Sequence, residues 1–231
     1  MIPVELIDCV IPATKLAAVW LPAEEDFTIQ TEDSWFYNAH EGVRTPAELR
    51  AMYERSSGGN TGLIINIGPF ANGSVPSDQA AAAVALGVYV RDCYGAGKAV
   101  ASGASSAAAP NATITIAPLK AAAVDRVQIR EDQSKGQLVR RFALTAMLAN
   151  GTSVVLCPQK TSSIGNKFIC VLSAPLVVAN LSLSVTAALA GTTPRISQFA
   201  AFRCGDVAKE IDAAWSTPAP HGAAVAQGQA V

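Results

Sequence analysis

Glu24 and Asp26 stand two residues apart in the stretch Trp20-Leu21-Pro22-Ala23-Glu24-Glu25-Asp26-Phe27-Thr28-Ile29. Paired carboxyl groups are the equipment of general acid/base and glycosyl-transfer chemistry. A retaining glycosidase needs two of them about 5 Å apart, one to attack the sugar and one to exchange a proton with the leaving oxygen. On a strand, residues i and i+2 share a face at roughly 6 to 7 Å between Cα atoms, and at the C-terminal end of a barrel strand such a pair would face substrate. The plainer alternative is that both acids only anchor loops by hydrogen bonds. Trp35 and Phe36 follow shortly after. Aromatic side chains offer apolar faces that can line a ligand pocket, although ordinary packing would use the same residues. Trp20 reads either way, as core or as part of such a face. His40 lies in a polar loop and reads as solvent-facing, and Asn66 ends an apolar run where it would cap the next turn.

Other chemistries fail on context. Gly58-Gly59-Asn60-Thr61-Gly62 precedes a strand instead of joining a strand to a helix N-terminus, so it reads as a turn and not as a phosphate cradle. His40 and His221 sit in unrelated loops, so no Ser/His/Asp set assembles. The five cysteines, Cys9, Cys93, Cys157, Cys170 and Cys204, form no C-x-x-C pairs, so neither a metal site nor any other cofactor is expected. With 15% charged residues and a formal net charge of -1, the chain lacks the basic footprint of a nucleic-acid or anionic-membrane binder. No run of about twenty apolar residues marks a membrane span. Four N-x-Ser/Thr sequons, at Asn72, Asn111, Asn150 and Asn180, would accept glycans in a secretory compartment. The first residues show no signal-peptide pattern.

The elements that must position these residues divide into two regions. Half of the 231 residues are hydrophobic, enough for a sizeable core. Up to residue 95 the order is strand, helix, strand, helix: an apolar segment over 19–29, a helix from Thr45, a strand over 63–67, and a helix from Ser77 to Gly95. Alternation of this kind favours parallel pairing. Thr45, Pro46 and Glu48 form a capping box with proline at the first helical position. Leu49, Met52, Tyr53 and Ser56 are predicted to share one face, and Val84, Val88 and Arg91 to form the stripe of the second helix, with Leu86 and Val90 beside it. Residues 96–110 are small-residue rich and predict a linker. From 111 to 204 the period changes to two in short segments separated by Gly, Pro and Asn turns, which predicts an antiparallel β-sandwich. The tail, 205–231, is predicted to be disordered.

The block from Trp20 to Ile29 followed by Trp35-Phe36-Tyr37 resembles the W-x-P-A-E-x-D-x-S-I…W-F-Y block of family 29 glycoside hydrolases, the α-L-fucosidases. The resemblance continues through Thr45-Pro46-Ala47-Glu48-Leu49, Gly59 to Asn66, and Gly73-Ser74-Val75-Pro76. In the second region it runs through Asp125-Arg126-Val127, Gly136-Gln137-Leu138-Val139, Ser163-Ile164-Gly165-Asn166-Lys167 and Pro194-Arg195-Ile196. It implies α/β followed by all-β: the last βα units of a (β/α)8-type barrel, then an antiparallel β-sandwich. It also implies a fucosylated glycan as substrate, and a secretory, lysosomal or extracellular setting for the full-length protein. By the same resemblance Trp20, Glu24, Trp35 and Phe36 are substrate-binding candidates, with Glu24 and Asp26 shaping the pocket or anchoring loops. The family's nucleophile Asp and acid/base Glu belong to earlier strands that nothing upstream of Trp20 matches, so no catalytic residue is assigned. Gln30 to Ser34 replaces the family's R-P-G, and Asn38 stands where the family often has His.

Overall fold

The computed structural model describes residues 23–103, 106–107, 112–159 and 162–216. Trp20, the sequon at Asn111 and the end of the tail lie outside them. Strand β1 (Glu24–Thr28), helix α1 (Pro46–Ser56), strand β2 (Gly62–Asn66) and helix α2 (Ser77–Tyr94) come first. β1 and β2 pair in parallel from Glu24 opposite Gly62 to Thr28 opposite Asn66. Parallel neighbours require a crossover, which α1 provides. The capping box forms as expected: the Thr45 hydroxyl accepts from the Glu48 amide, and the Glu48 carboxylate accepts from the Thr45 amide at 2.8 Å. Leu49, Tyr53 and Ser56 are buried.

In α2 the inward stripe is Gln79, Ala82, Leu86, Tyr89 and Cys93, and Val84 is 65% exposed. The expected stripe of Val84, Val88 and Arg91 is thereby corrected. Two stripes fit the helical period, and the alanine block gives them little contrast. The larger partners settle the choice, because Tyr89 and Cys93 find Phe202 and Cys204.

The remaining strands are β3 (Ala101–Gly103), β4 (Ser106–Ala107), β5 (Thr113–Ile116), β6 (Ala122–Glu131), β7 (Val139–Leu148), β8 (Ser153–Leu156), β9 (Phe168–Ala188) and β10 (Arg195–Phe202). They form one antiparallel, eight-stranded sheet in the order β3-β10-β6-β9-β7-β8, with β4 on β10 and β5 on β9. The molecule is thus mostly sheet with few helices. Where short segments are expected, β9 runs on for 21 residues. The first half of β9 pairs with β6, and the second half pairs with β7 and β5. The two halves enclose a common core that includes Val127, Phe142, Leu144, Phe168, Leu183 and Phe199. One core is therefore shared by both halves of a single long strand, whose pairing is interrupted by register shifts on β6 and β7.

Two boundaries differ from expectation. The predicted linker contains β3 and β4, whose backbones pair with β10; Ala101 faces Ala201 across the ladder and is buried. The predicted disordered tail begins with helix α3 (Gly205–Ser216), anchored where Asp125 accepts from the Cys204 and Gly205 amides at 2.8 and 2.7 Å. Arg50 of α1 then holds Asp212 of α3 through two bonds of 2.7 Å. Composition misled in both places, because low side-chain volume does not prevent strand pairing and a short amphipathic helix needs a partner to declare itself.

The helical and sheet parts share a buried polar junction. Glu54 Oε1 accepts from Tyr89 Oη at 2.6 Å, Tyr94 Oη at 2.7 Å and Arg126 Nε at 2.6 Å. Burial, then the charge of Glu54, raises both phenols above their ordinary range. Disulfides Cys93–Cys204 and Cys157–Cys170 add covalent ties.

Candidate functional site

Function in parallel α/β units collects where the strands end, because the connecting loops are free to vary there. In this chain the C-terminal ends of β1 and β2 carry the loop over 29–44 and the loop over 67–76. The first is closed at its base like a hairpin: Thr31 N–H donates to Gly42 at 3.0 Å, Arg44 N–H donates to Ile29 at 2.9 Å, and Gln30 bridges Val43. Its tip carries Trp35, Phe36 and Tyr37, exposed by 51%, 85% and 38%. Aromatic side chains this exposed on an ordered loop form a ready apolar contact face.

Three devices hold that face in place. Asn66, the last residue of β2, donates from Nδ2 to the Trp35 carbonyl at 2.8 Å. Gln30 and Gln79, both buried, form an amide chain: Gln79 Nε2 donates to Gln30 Oε1 at 2.9 Å, while Gln79 Oε1 accepts from the Gly68 amide at 3.0 Å. That chain joins the exits of both strands to α2. Gly68 is forced by close approach, since a Cβ there would lie 2.6 Å from the Tyr37 nitrogen. Tyr37 packs edge-to-face on Phe70 at 4.5 Å between centroids, so the second loop supports the first.

Glu41 organises the loop from within. Its carboxylate accepts from the Glu32 amide at 3.1 Å, from Asn38 Nδ2 at 2.9 Å and from the Ser34 hydroxyl. The Ser34 bond, opposed by desolvation and helped by Gln30, Asn38 and the Glu32 amide, holds this carboxyl below its ordinary value of 4.5. Three accepted hydrogen bonds commit the Glu41 carboxylate to its own loop, which it thereby positions. Arg44 closes the other side, donating to the Thr28 carbonyl at 2.9 Å and pairing with Asp33 at 2.5 Å. The sequence reading missed Glu41 and Gln79. A signal for Glu41 existed in Ser34 and Asn38, two side chains able to donate to an acid within the same loop.

Trp35 and Phe36 are thus brought together with Asn66 at one end of the parallel pair. Glu24 is not brought there. It opens β1 opposite Gly62, and four residues at about 3.3 Å each separate it from the strand exit, roughly 13 Å. Glu24 and Asp26 do share a face and are both exposed. The C-terminal placement under which the pair would face substrate is not met by Glu24, since the strand begins there. Glu25 between them pairs with Arg55 at 2.9 Å. His40 is exposed. A separate hollow of about 200 Å³, lined by Thr45, Pro46, Ala47, Asp212 and Trp215, lies at the start of α1 and is smaller than ordinary ligand pockets. Among the described residues no group of three or more His, Cys, Asp and Glu is placed to hold a metal ion. No described helix is long and apolar enough to cross a membrane.

No protein-family model matches the chain, and no curated protein matches it. Solved structures do. A Bacteroides ovatus structure assigned as an α-L-fucosidase superposes with a TM-score of 0.71 at 24% identity, covering 80% of this chain and 31% of that one. One from Bacteroides thetaiotaomicron, with the same assignment, gives 0.69 at 23% identity, covering 80% of this chain and 41% of that one. A Ruminococcus gnavus family 29 fucosidase in complex with fucose gives 0.70 at 20% identity, covering 82% and 42%. In fold, therefore, the chain is a relative of the family 29 α-L-fucosidases, and it spans less than half the length of the structures it matches.

Proposed function

We propose that this chain is the part of an α-L-fucosidase that supplies the apolar side of the sugar pocket, within a complete protein that removes terminal α-L-fucose from glycans by a retaining mechanism. The observation that carries the reading is the aromatic face of Trp35 and Phe36. It lies at the C-terminal ends of β1 and β2, where a (β/α)8-type barrel places its substrate. Fucose lacks the 6-hydroxyl and presents a methyl group, so an aromatic plane matches one edge of the ring while polar groups read the rest.

Hydrolysis is assigned to the complete protein because the described residues offer no suitable carboxyl pair at this face. Glu41 is committed to three hydrogen bonds within its loop, Asp33 is paired to Arg44, and Glu24 lies at the other end of its strand. A second reading, a non-catalytic carbohydrate-binding or interaction module, draws on the same point, since the aromatic face needs no nucleophile to bind.

An aryl α-L-fucoside tests the placement of the catalytic carboxyls outside this chain. The chain alone should give turnover at background, since loss of catalytic groups costs on the order of 10³- to 10⁶-fold in rate. Robust turnover abolished by Glu24→Gln or Asp26→Asn would overturn this assignment and make the local acids catalytic. Fucose binding to the chain that survives Trp35→Ala and Phe36→Ala would remove the aromatic face from the proposal.

A further inference from the structure

Two turns far apart in the chain are built alike. Phe70-Ala71-Asn72-Gly73-Ser74 follows β2, and Leu148-Ala149-Asn150-Gly151-Thr152 joins β7 to β8. In each, the glycine amide donates to the first carbonyl, at 2.8 Å from Gly73 to Phe70 and 2.9 Å from Gly151 to Leu148. In each, the first amide donates to the last carbonyl, at 2.9 Å from Phe70 to Ser74 and 2.8 Å from Leu148 to Thr152. The glycines take φ of 81° and 85°, the left-handed region where a side chain is strained. In each, the asparagine Oδ1 accepts the backbone N–H of the hydroxyl residue two places on, at 3.0 Å. Ser74 adds its hydroxyl to Asn72 Oδ1 at 2.7 Å.

Turn chemistry alone accounts for Asn-Gly in these places. It does not require a Ser or Thr next, nor an outward-facing amide nitrogen. Asn72, Gly73, Ser74, Asn150, Gly151 and Thr152 are all exposed. The Oδ1 side of each amide is engaged by its own turn, and Nδ2 of neither asparagine donates within the described residues. Two disulfides fit a chain that folds in an oxidising compartment, and the secretory pathway, where N-glycosylation takes place, is one such compartment.

We infer that Asn72 and Asn150 are N-glycosylation sites and that Asn180 is not. Asn180 also heads a sequon, but it sits within β9, half-buried and paired with Met147 of β7. A glycan there would have to leave from the middle of a paired strand. The donor is a polyprenyl-diphosphate-linked oligosaccharide. Its C1–O bond breaks with the electron pair leaving on the diphosphate, the Nδ2–C1 bond forms, and the nitrogen loses one proton to a base on the transferase. The sugar on Asn72 would stand beside Phe70, and through it beside Tyr37 and the aromatic face.

The test is expression of the full chain behind a cleavable secretion leader in a eukaryotic host carrying Asn111→Gln throughout. Intact mass is read on total cell protein and on medium, before and after enzymatic removal of N-glycans, so that a retained chain counts equally. Two glycans are expected, one lost in Asn72→Gln and one in Asn150→Gln. Ser74→Ala and Thr152→Ala should remove the same glycans while keeping the Asn-Gly turns, and Asn180→Gln should change nothing. Absence of glycan from either turn overturns the inference, as does a glycan at Asn180.

Discussion

At the scale of single residues, the site depends on groups that hold an exposed aromatic face still. Trp35→Ala in the complete protein is expected to lower kcat/KM for an aryl fucoside by about tenfold, the equivalent of ~1.4 kcal/mol, mainly through KM. Unchanged kcat and KM would favour simple packing for this side chain. Glu41 gives a pH signature. Its carboxyl is lowered from 4.5 in the folded loop, so its stabilisation is complete above that value and is lost as the pH falls through the lower folded value. The loop should therefore loosen only on acidification below about 4.5, followed by Trp35 fluorescence in a chain with Trp20→Phe and Trp215→Phe. Glu41→Gln should abolish that transition, and a transition unchanged by it would assign the effect elsewhere.

At the scale of elements, the junction of α1, α2 and β6 concentrates the energetic risk. Glu54 and Arg126 expose 6% and 16% of their side chains. Removing one member of a buried pair strands the other charge, typically at a cost of about 3–5 kcal/mol, whereas replacing both with apolar residues is often nearly neutral. Glu54→Ala should lower stability by that amount in urea denaturation, and Glu54→Leu with Arg126→Met should recover most of it. Equal losses in the single and double variants would mean that the tyrosines, not the ion pair, dominate the junction. Thr45→Ala is a milder comparison, with about 1 kcal/mol expected from loss of the cap.

At the scale of the molecule, the helical and sheet parts are not separable at residue 110. Ile169 of β9 packs into the helical core with Leu49 and Leu86, Gly59 bridges Phe168, and Cys93–Cys204 closes a loop of 111 residues. A piece covering 111–203 would lose β3 and β4 and expose Ile169 and Phe202. The sequence predicts that this piece folds alone; with the tertiary contacts in view, it should melt without cooperativity by circular dichroism while the chain over 23–216 melts sharply. A cooperative melt of the short piece would restore an independent sheet domain. Cys93→Ser with Cys204→Ser should cost about 2–5 kcal/mol, measured the same way.

The capping box at Thr45, the turn at Gly58 to Gly62 and the strand–helix order up to residue 95 were legible in the chain, because each is encoded within a few residues by spacing and turn chemistry. The family resemblance also rested on such local strings. The rest depended on partners distant in sequence. Val84 and Tyr89 sit on rival stripes of one helix, and only Phe202 and Cys204 choose between them. β3 and β4 look like a linker until β10 pairs with them, and α3 looks like a tail until Arg50 meets Asp212. Glu24 carries the right chemistry for a sugar site. Its place at the entry of β1, and not at its exit, follows from the register with β2, which tertiary pairing sets and local sequence does not.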